Sequence, residues 1–333
     1  MKRLAGIVSV ICLFVGCSLI EDDLSVCKKD YLISYEVRLE TDIRLCIEEE
    51  LTLDIEQSMA DALKEWLAPI FSGRAHDLDM SFFALDDMDT LKYHWSEVID
   101  ASQKSFTLYI PRENYMHLAV VNIADNEYVS LSGTGRSSTM HLGLRPNDTL
   151  PSQPTAIYTA RQPMEMAVDS AEKYNVHLYM VSCAVALVID SLAVDVSKMD
   201  VLLSGAASGF DVLDSVYTFD HESLIRADKL TDQCYAVISM PSRSDATSIG
   251  PAQMCAATAD AGIFWELRCY VTCPDSTVTE TRLSVSEPLE AGTLEIIRVN
   301  LNDDGSLYPV DHPTVGAAVT LDWKEGSEHN IDI

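Results

Sequence analysis

Basic residues are scarce: 23 lysines and arginines stand against 52 aspartates and glutamates, for a formal net charge of -29. Nucleic acid and anionic lipid both need a basic footprint, so neither is an expected partner. Short tandem repeats and low-complexity tracts are absent. No His-Glu-x-x-His, Gly-x-Ser-x-Gly or Walker-type loop occurs. Ser132-Gly133-Thr134-Gly135-Arg136-Ser137 is glycine-rich but has no lysine to meet a phosphate, and it reads as a hairpin loop. The 8 histidines are scattered, and carboxylates are too abundant for one acid/base pair to stand out. The expectation is a non-enzyme, with no catalytic residues, no metal site and no cofactor. Long apolar runs are missing after the N-terminus. The strongest, Val181 to Ile189, has strand length, short of the about 20 residues of a membrane helix.

What is present begins at the N-terminus. Lys2 and Arg3 precede an uncharged run from Leu4 to Gly16, the layout of a bacterial export signal over residues 1–16. The closing set Leu13-Phe14-Val15-Gly16-Cys17 resembles the lipobox of bacterial lipoproteins, with Phe14 where leucine is usual. The resemblance implies cleavage between Gly16 and Cys17 and a mature chain that starts at a lipid-bearing Cys17. One acyl chain binds a membrane only reversibly, at ~0.8 kcal/mol per buried CH₂, so several are needed for permanent attachment. Losing Lys2 and Arg3 with the signal takes the net charge from -29 to -31.

Nine cysteines are present, of which Cys12 would leave with the signal and Cys17 would carry lipid. The odd remainder of Cys27, Cys46, Cys183, Cys234, Cys255, Cys269 and Cys273 leaves at least one thiol free or paired outside the chain. Cys269 and Cys273 have no second pair or histidine cluster near them, so zinc is not expected. Cys183 and Cys234 read as buried thiols in strands.

Residues 17–30 are polar and read as a tether. Tyr31 to Leu39 alternates as a half-buried strand. Leu53 to Phe71 changes to a helical period through Ile55, Met59, Leu63, Trp66, Leu67 and Ile70, with Asp54 as N-cap and Pro69 near its end. Strand-like segments follow, and four prolines between Pro146 and Pro163 suggest a connection between domains at 31–160 and 174–333. In the second half the clearest strand is Ile263 to Cys273, with Ile263, Trp265, Leu267, Cys269, Val271 and Cys273 on one face. Val315, Ala317, Val319, Leu321 and Trp323 alternate in the same way and are expected to close the second domain. Beyond them, the tail Lys324 to Ile333 is a candidate strand for donation to another subunit. Trp66, Trp265 and Trp323 sit in core-patterned positions, whereas Trp95 looks free to bind.

The stretch Cys17-Ser18-Leu19-Ile20-Glu21-Asp22-Asp23-Leu24-Ser25-Val26-Cys27 resembles the mature start of the FimB-type fimbrial anchor family of Bacteroidales. In that family the lipobox cysteine is followed by Asp-Asp-Leu-x-x-Cys, here Asp22, Asp23, Leu24 and Cys27. Tyr31 to Leu39, the segment Val201 to Phe219 with Ser204-Gly205 and Ser208-Gly209-Phe210, and Val319 to Trp323 resemble further parts of it. The resemblance implies a mainly β chain of two tandem transthyretin-like β-sandwich domains, with one helix in the first. It also implies an outer-membrane, surface-exposed lipoprotein that anchors or builds a type V fimbria and meets its partner subunits by β-strand exchange. The alternative is a surface glycan-binding lipoprotein of a polysaccharide-uptake system, which should display exposed aromatics. Asp-Ser or Asp-Thr pairs ending at Thr90, Thr149, Ser170, Ser191, Ser215 and Ser276 resemble the O-glycosylation signal of exported proteins in the same bacterial group.

Radiolabelled palmitate should enter the wild-type protein but not Cys17→Ala, and that variant should be released from the outer membrane. Labelling of the variant at the wild-type level would rule out the lipid site.

Overall fold

The computed structural model describes residues 30–40, 57–70, 77–87, 90–98, 105–111, 113–124, 126–133, 140–145, 149–165, 173–193, 196, 198–244, 262–310 and 313–322. The chain runs through β1 (Asp30–Glu40), helix α1 (Gln57–Ile70), β2 (Asp77–Ala84), β3 (Leu91–Val98), β4 (Ser105–Pro111) and β5 (Tyr115–Val121). Next come β6 (Val129–Ser132), β7 (His141–Leu144), β8 (Thr149–Pro151), β9 (Tyr158–Met164), β10 (Lys173–Met180), β11 (Cys183–Leu192) and β12 (Lys198–Ser204). Five strands follow: β13 (Gly209–Asp211), β14 (Val216–Thr218), β15 (Leu224–Arg226), β16 (Asp228–Lys229) and β17 (Cys234–Ser239). The last are β18 (Trp265–Thr272), β19 (Val278–Val285), β20 (Leu294–Leu301), β21 (Leu307–Pro309) and β22 (Val315–Asp322). These form a seven-stranded sheet β3-β2-β5-β9-β10-β1-β4 and a four-stranded sheet β14-β13-β7-β6. A five-stranded sheet β16-β17-β11-β20-β21 and a six-stranded sheet β22-β19-β18-β12-β15-β8 complete the architecture. The fold is mainly β, in two sandwiches with one helix among the described residues, as expected.

All seven residues of β5 are buried, because both faces of its sheet are covered there. Tyr115, Ala119 and Val121 join a core with Leu78, Met80 and Phe82 of β2 and with Leu63 and Leu67 of α1. Met116, Leu118 and Val120 join another with Phe83, Leu142, Leu144 and Phe210, under the four-stranded sheet. In α1, Met59, Leu63 and Leu67 recur every four residues and are all buried, which is the stripe the sequence pattern placed. The helix spans 57–70 and ends one residue beyond Pro69; Asp54 lies outside the described residues.

The four prolines do not mark a plain connection. β8 and β9 occupy that stretch, and β10, at the expected start of the second domain, pairs in parallel with β1 from Ser34↔Lys173 to Glu40↔Tyr179. Prolines are tolerated because β9 pairs with β10 only at Thr159 and Tyr158, so Pro163 breaks no ladder on that side. The halves also interleave. Hairpin β13–β14 pairs with β7 through Phe210↔Leu142, and β8 pairs in parallel with β15 through Ile225↔Leu150. Two glycines in the segments singled out by resemblance allow close backbone approach, Gly209 where β13 crosses to β7 of the other half and Gly205 within the later half. A Cβ at Gly209 would meet Leu142 O at 2.6 Å, and one at Gly205, where φ is +87°, would meet Phe264 O at 2.8 Å.

The second core lies between the five- and six-stranded sheets. Trp265, Leu267, Cys269 and Val271 of β18 face it, as their period indicated, but Ile263 precedes the strand and is 42% exposed. β19 alternates too, although two of its buried positions are Thr279 and Thr281, which hides the apolar period. Their hydroxyls are used: Thr279 Oγ1 donates to Asp304 O at 2.6 Å, and Thr281 Oγ1 accepts from Leu307 N–H at 3.1 Å. Cys183, Cys234 and Cys269 are buried free thiols, and Cys273 is buried as well. Burial pushes the Cys183 thiol up to about 12 and that of Cys234 to about 11, which keeps both protonated and inert.

The chain passes from the first sandwich to the second in two buried residues, Val181 and Ser182. Ser182 Oγ donates to Gln153 Oε1 at 3.0 Å and accepts from Ile157 N–H at 3.1 Å. The Ser182 carbonyl accepts from Gly292 N–H at 2.8 Å, and Val181 N–H donates to Ile157 O at 2.9 Å. Beyond this corner, Cys183, Val185, Leu187 and Ile189 of β11 face the second core. Ala184 and Ala186, with Ala236 of β17, face the first, and Val188 meets Met59 of α1.

His117 is fully buried, stacked on Phe82 with ring centroids 4.3 Å apart, and burial lowers its pKa to about 3. Because the unfolded chain binds this proton near pH 6.5, its contribution is complete above that pH and is lost as pH falls toward 3. Urea unfolding at pH 7 and pH 5 should therefore show wild type losing about 2 kcal/mol more than His117→Phe between the two. Equal losses in both proteins would remove His117 from the acid response.

Candidate functional site

A filament subunit or binding module acts through its surface, and in a β protein the exposed edges are the chemically distinct part of that surface. An edge strand offers unpaired N–H and C=O groups, which proteins guard by shortness, charge or proline. Most edges here are short: β16 has 2 residues, β8, β14 and β21 have 3 each, and β6 has 4. The long ones are β3, β4 and β22. β3 carries Lys92, 3.3 Å from Glu113, and His94, whose Nε2 is 2.9 Å from Asp79. β4 ends in Pro111, and its inward Leu108 and Ile110 are fully covered.

Among the described residues β22 has no such guard, and its inner face is only partly covered. Its sequence Val-Gly-Ala-Ala-Val-Thr-Leu-Asp has no charge before Asp322 and no proline, and it pairs without a bulge with β19 from Val285↔Val315 to Val278↔Asp322. Thr281, Leu283 and Val285 of β19 are buried, so their register partners Val319, Ala317 and Val315 fall on the core side. Yet Ala317 is exposed and Val315 and Val319 are only half-buried. The strand belongs to the second sandwich as expected, but its expected core face is partly open. The reason is the opposing sheet, which ends in β21 with only 3 residues.

Gly16, Cys17, Asp22, Asp23, Leu24, Cys27, Trp323 and the tail 324–333 lie outside the described residues. Of the glycine-rich stretch, Ser132 ends β6, which pairs antiparallel with β7, and residues 134–137 lie outside the described residues. Trp265 is buried and donates from Nε1 to Glu287 O at 3.0 Å, while Trp66 packs against the first core and donates to Asp228. Of the possible modification positions, Thr90, Ser191, Ser215 and Ser276 are exposed and Thr149 is half-buried. Ser170 lies outside the described residues. Sequence reasoning missed the status of β22 as an edge, since a period-two pattern reports faces and not neighbours.

Neither a sequence-family profile nor a curated protein matches the chain. Solved structures do. A candidate polysaccharide-binding protein (DUF1812) of Bacteroides thetaiotaomicron is similar with a TM-score of 0.50 at 8% identity, over 86% of this chain and 100% of that one. The two share a fold. The fimbrial anchor protein Mfa2 of Porphyromonas gingivalis gives a TM-score of 0.47 at 9% identity, over 88% of this chain and 98% of its own. The C-terminally truncated tip fimbrial protein Mfa3 of the same organism gives 0.47 at 10%, over 88% and 100%.

Because Ala317 is exposed, Ala317→Lys should change the unfolding free energy by no more than about 0.5 kcal/mol. Leu283→Ala, its fully buried partner on β19, should cost about 2–5 kcal/mol. Denaturant titration of both variants checks the contrast, and a large loss in Ala317→Lys would mean that the β22 face is closed.

Proposed function

We propose that this chain is a subunit of a type V fimbria, acting as its lipid-anchored base on the outer membrane and joined to its neighbour by β-strand exchange. The observation that carries the reading is the β22 edge: uncharged over seven residues, paired on one side, with an apolar stripe beside it left half-covered. A strand laid on that edge would pair its backbone with the free groups of β22 and set alternate apolar side chains beside Val315, Ala317 and Val319. The resemblance of Cys17 to Cys27 to the fimbrial anchor family supports the same reading and supplies the lipid. The tail 324–333, which follows β22 directly, is the donor toward the subunit above. The chain's role is structural, and its location is the cell surface.

Deletion of residues 324–333 should leave a membrane-bound protein whose fimbriae are shed into the medium. Ala317→Lys should reduce the fimbrial subunits that co-purify with the anchor while leaving its abundance unchanged. Cells that keep full-length attached fimbriae with the deletion would exclude the tail as donor, and unchanged co-purification would exclude the edge. A second reading, a surface glycan-binding lipoprotein, is favoured by the polysaccharide-binding description of the Bacteroides thetaiotaomicron protein.

A further inference from the structure

We infer that the outer face of the five-stranded sheet carries a subsite for a neutral sugar residue, formed by Tyr308, Asn300, Ser191 and the paired Asp190 and Arg298. The inference is independent of the strand-exchange reading, because it uses a different sheet and a different face. It starts from a break in register. β11 and β20 pair in parallel from Ala184↔Leu294 to Ile189↔Val299, and then the register shifts, so that Ser191 faces Asn300 with Asp190 as the extra residue. In an unbroken strand Ser191 would follow Leu187 and Ile189 into the buried core. The bulge turns it outward instead, and Asp190 reaches Arg298 on the same face. Bulges recur where a strand must re-aim side chains at a site.

The result is a row across three strands, Ser191 on β11, Asn300 on β20 and Tyr308 on β21. At the usual strand spacing its ends are about 10 Å apart. Ser191 Oγ donates to Asn300 Oδ1 at 2.7 Å, which holds the amide with Nδ2 as the remaining donor. Arg298 donates from Nε to Asp190 Oδ1 at 3.2 Å and from Nη2 to Asp190 Oδ2 at 2.7 Å, so the fork is fixed beside the row. Tyr308 is 49% exposed, and its side chain has neither a ring contact nor a hydrogen bond among the described residues.

These groups select the ligand class. Asp190 and Arg298 cancel, and the other groups are uncharged, so the row offers no net attraction to an ion. The chain's net charge of -29 further opposes an anion. An aromatic ring beside an amide, a hydroxyl and a fixed fork suits a ligand with one C–H face and several hydroxyls. The sugar ring would lie on Tyr308, accept a hydrogen bond from Asn300 Nδ2 and donate one from a ring hydroxyl to Ser191 Oγ, whose own proton is held by Asn300 Oδ1.

The test uses the full mature chain on an array of immobilised neutral oligosaccharides of glucose, galactose, mannose and xylose, with a galacturonate oligomer as charged control. At least one neutral oligomer should be retained. Tyr308→Ala and Asn300→Ala should each weaken it by about tenfold or more, the loss expected for an anchoring contact. Tyr308→Phe, which keeps the ring, and Tyr109→Ala, which removes an exposed tyrosine on the seven-stranded sheet, should bind like wild type. Urea midpoints of all variants establish that each is folded. Retention of no neutral oligomer, equal retention by Tyr308→Ala, or retention of galacturonate alone would each overturn the assignment.

Discussion

The buried corner at Val181 and Ser182 is the constraint from which the rest of the architecture follows. β10 is committed to the seven-stranded sheet by β1 and β9, and β11 enters another sheet two residues later, so the two sandwiches must meet back to back. With the Ser182 hydroxyl shared between Gln153 and Ile157, no polar group of that side chain is left unsatisfied, which removes a penalty of about 1–3 kcal/mol. β11 is then buried on both sides. Large residues fill the second core, while Ala184 and Ala186 leave room for α1 and the first sheet to approach.

Elements whose apolar residues keep a single period were legible in the sequence, and those whose buried positions are polar were not. β18 was clear because Trp265, Leu267, Cys269 and Val271 alternate without interruption. β19 was not, because threonine holds two of its buried positions and only hydrogen bonds to the 304–307 turn make that acceptable. β9 was obscured by Pro163, whose tolerance depends on how little of that strand pairs with β10. Interleaving was invisible for a more basic reason: pairing of β7 with β13, or β8 with β15, connects residues more than 60 positions apart.

The candidate sites divide in the same way. β22 was readable as a strand, but its open inner face depends on the length of β21 in the opposite sheet. The Ser191 row depends on a bulge that breaks the alternation on which a sequence reading relies. The resemblance of Gly16 and Cys17 to a lipobox is a different case: it is an expectation from the sequence alone, and both residues lie outside the described residues.

The exchange of elements between the halves has a mechanical meaning. Hairpin β13–β14 from the later half completes a sheet with β6 and β7, and β8 from the earlier half completes a sheet with β15. Two sandwiches joined by a single linker would swing about it and yield one after the other under tension. Here the crossed strands act as straps in both directions, so a pull on the two ends loads both sheets at once, and neither half can be drawn away until strands of the other are torn out.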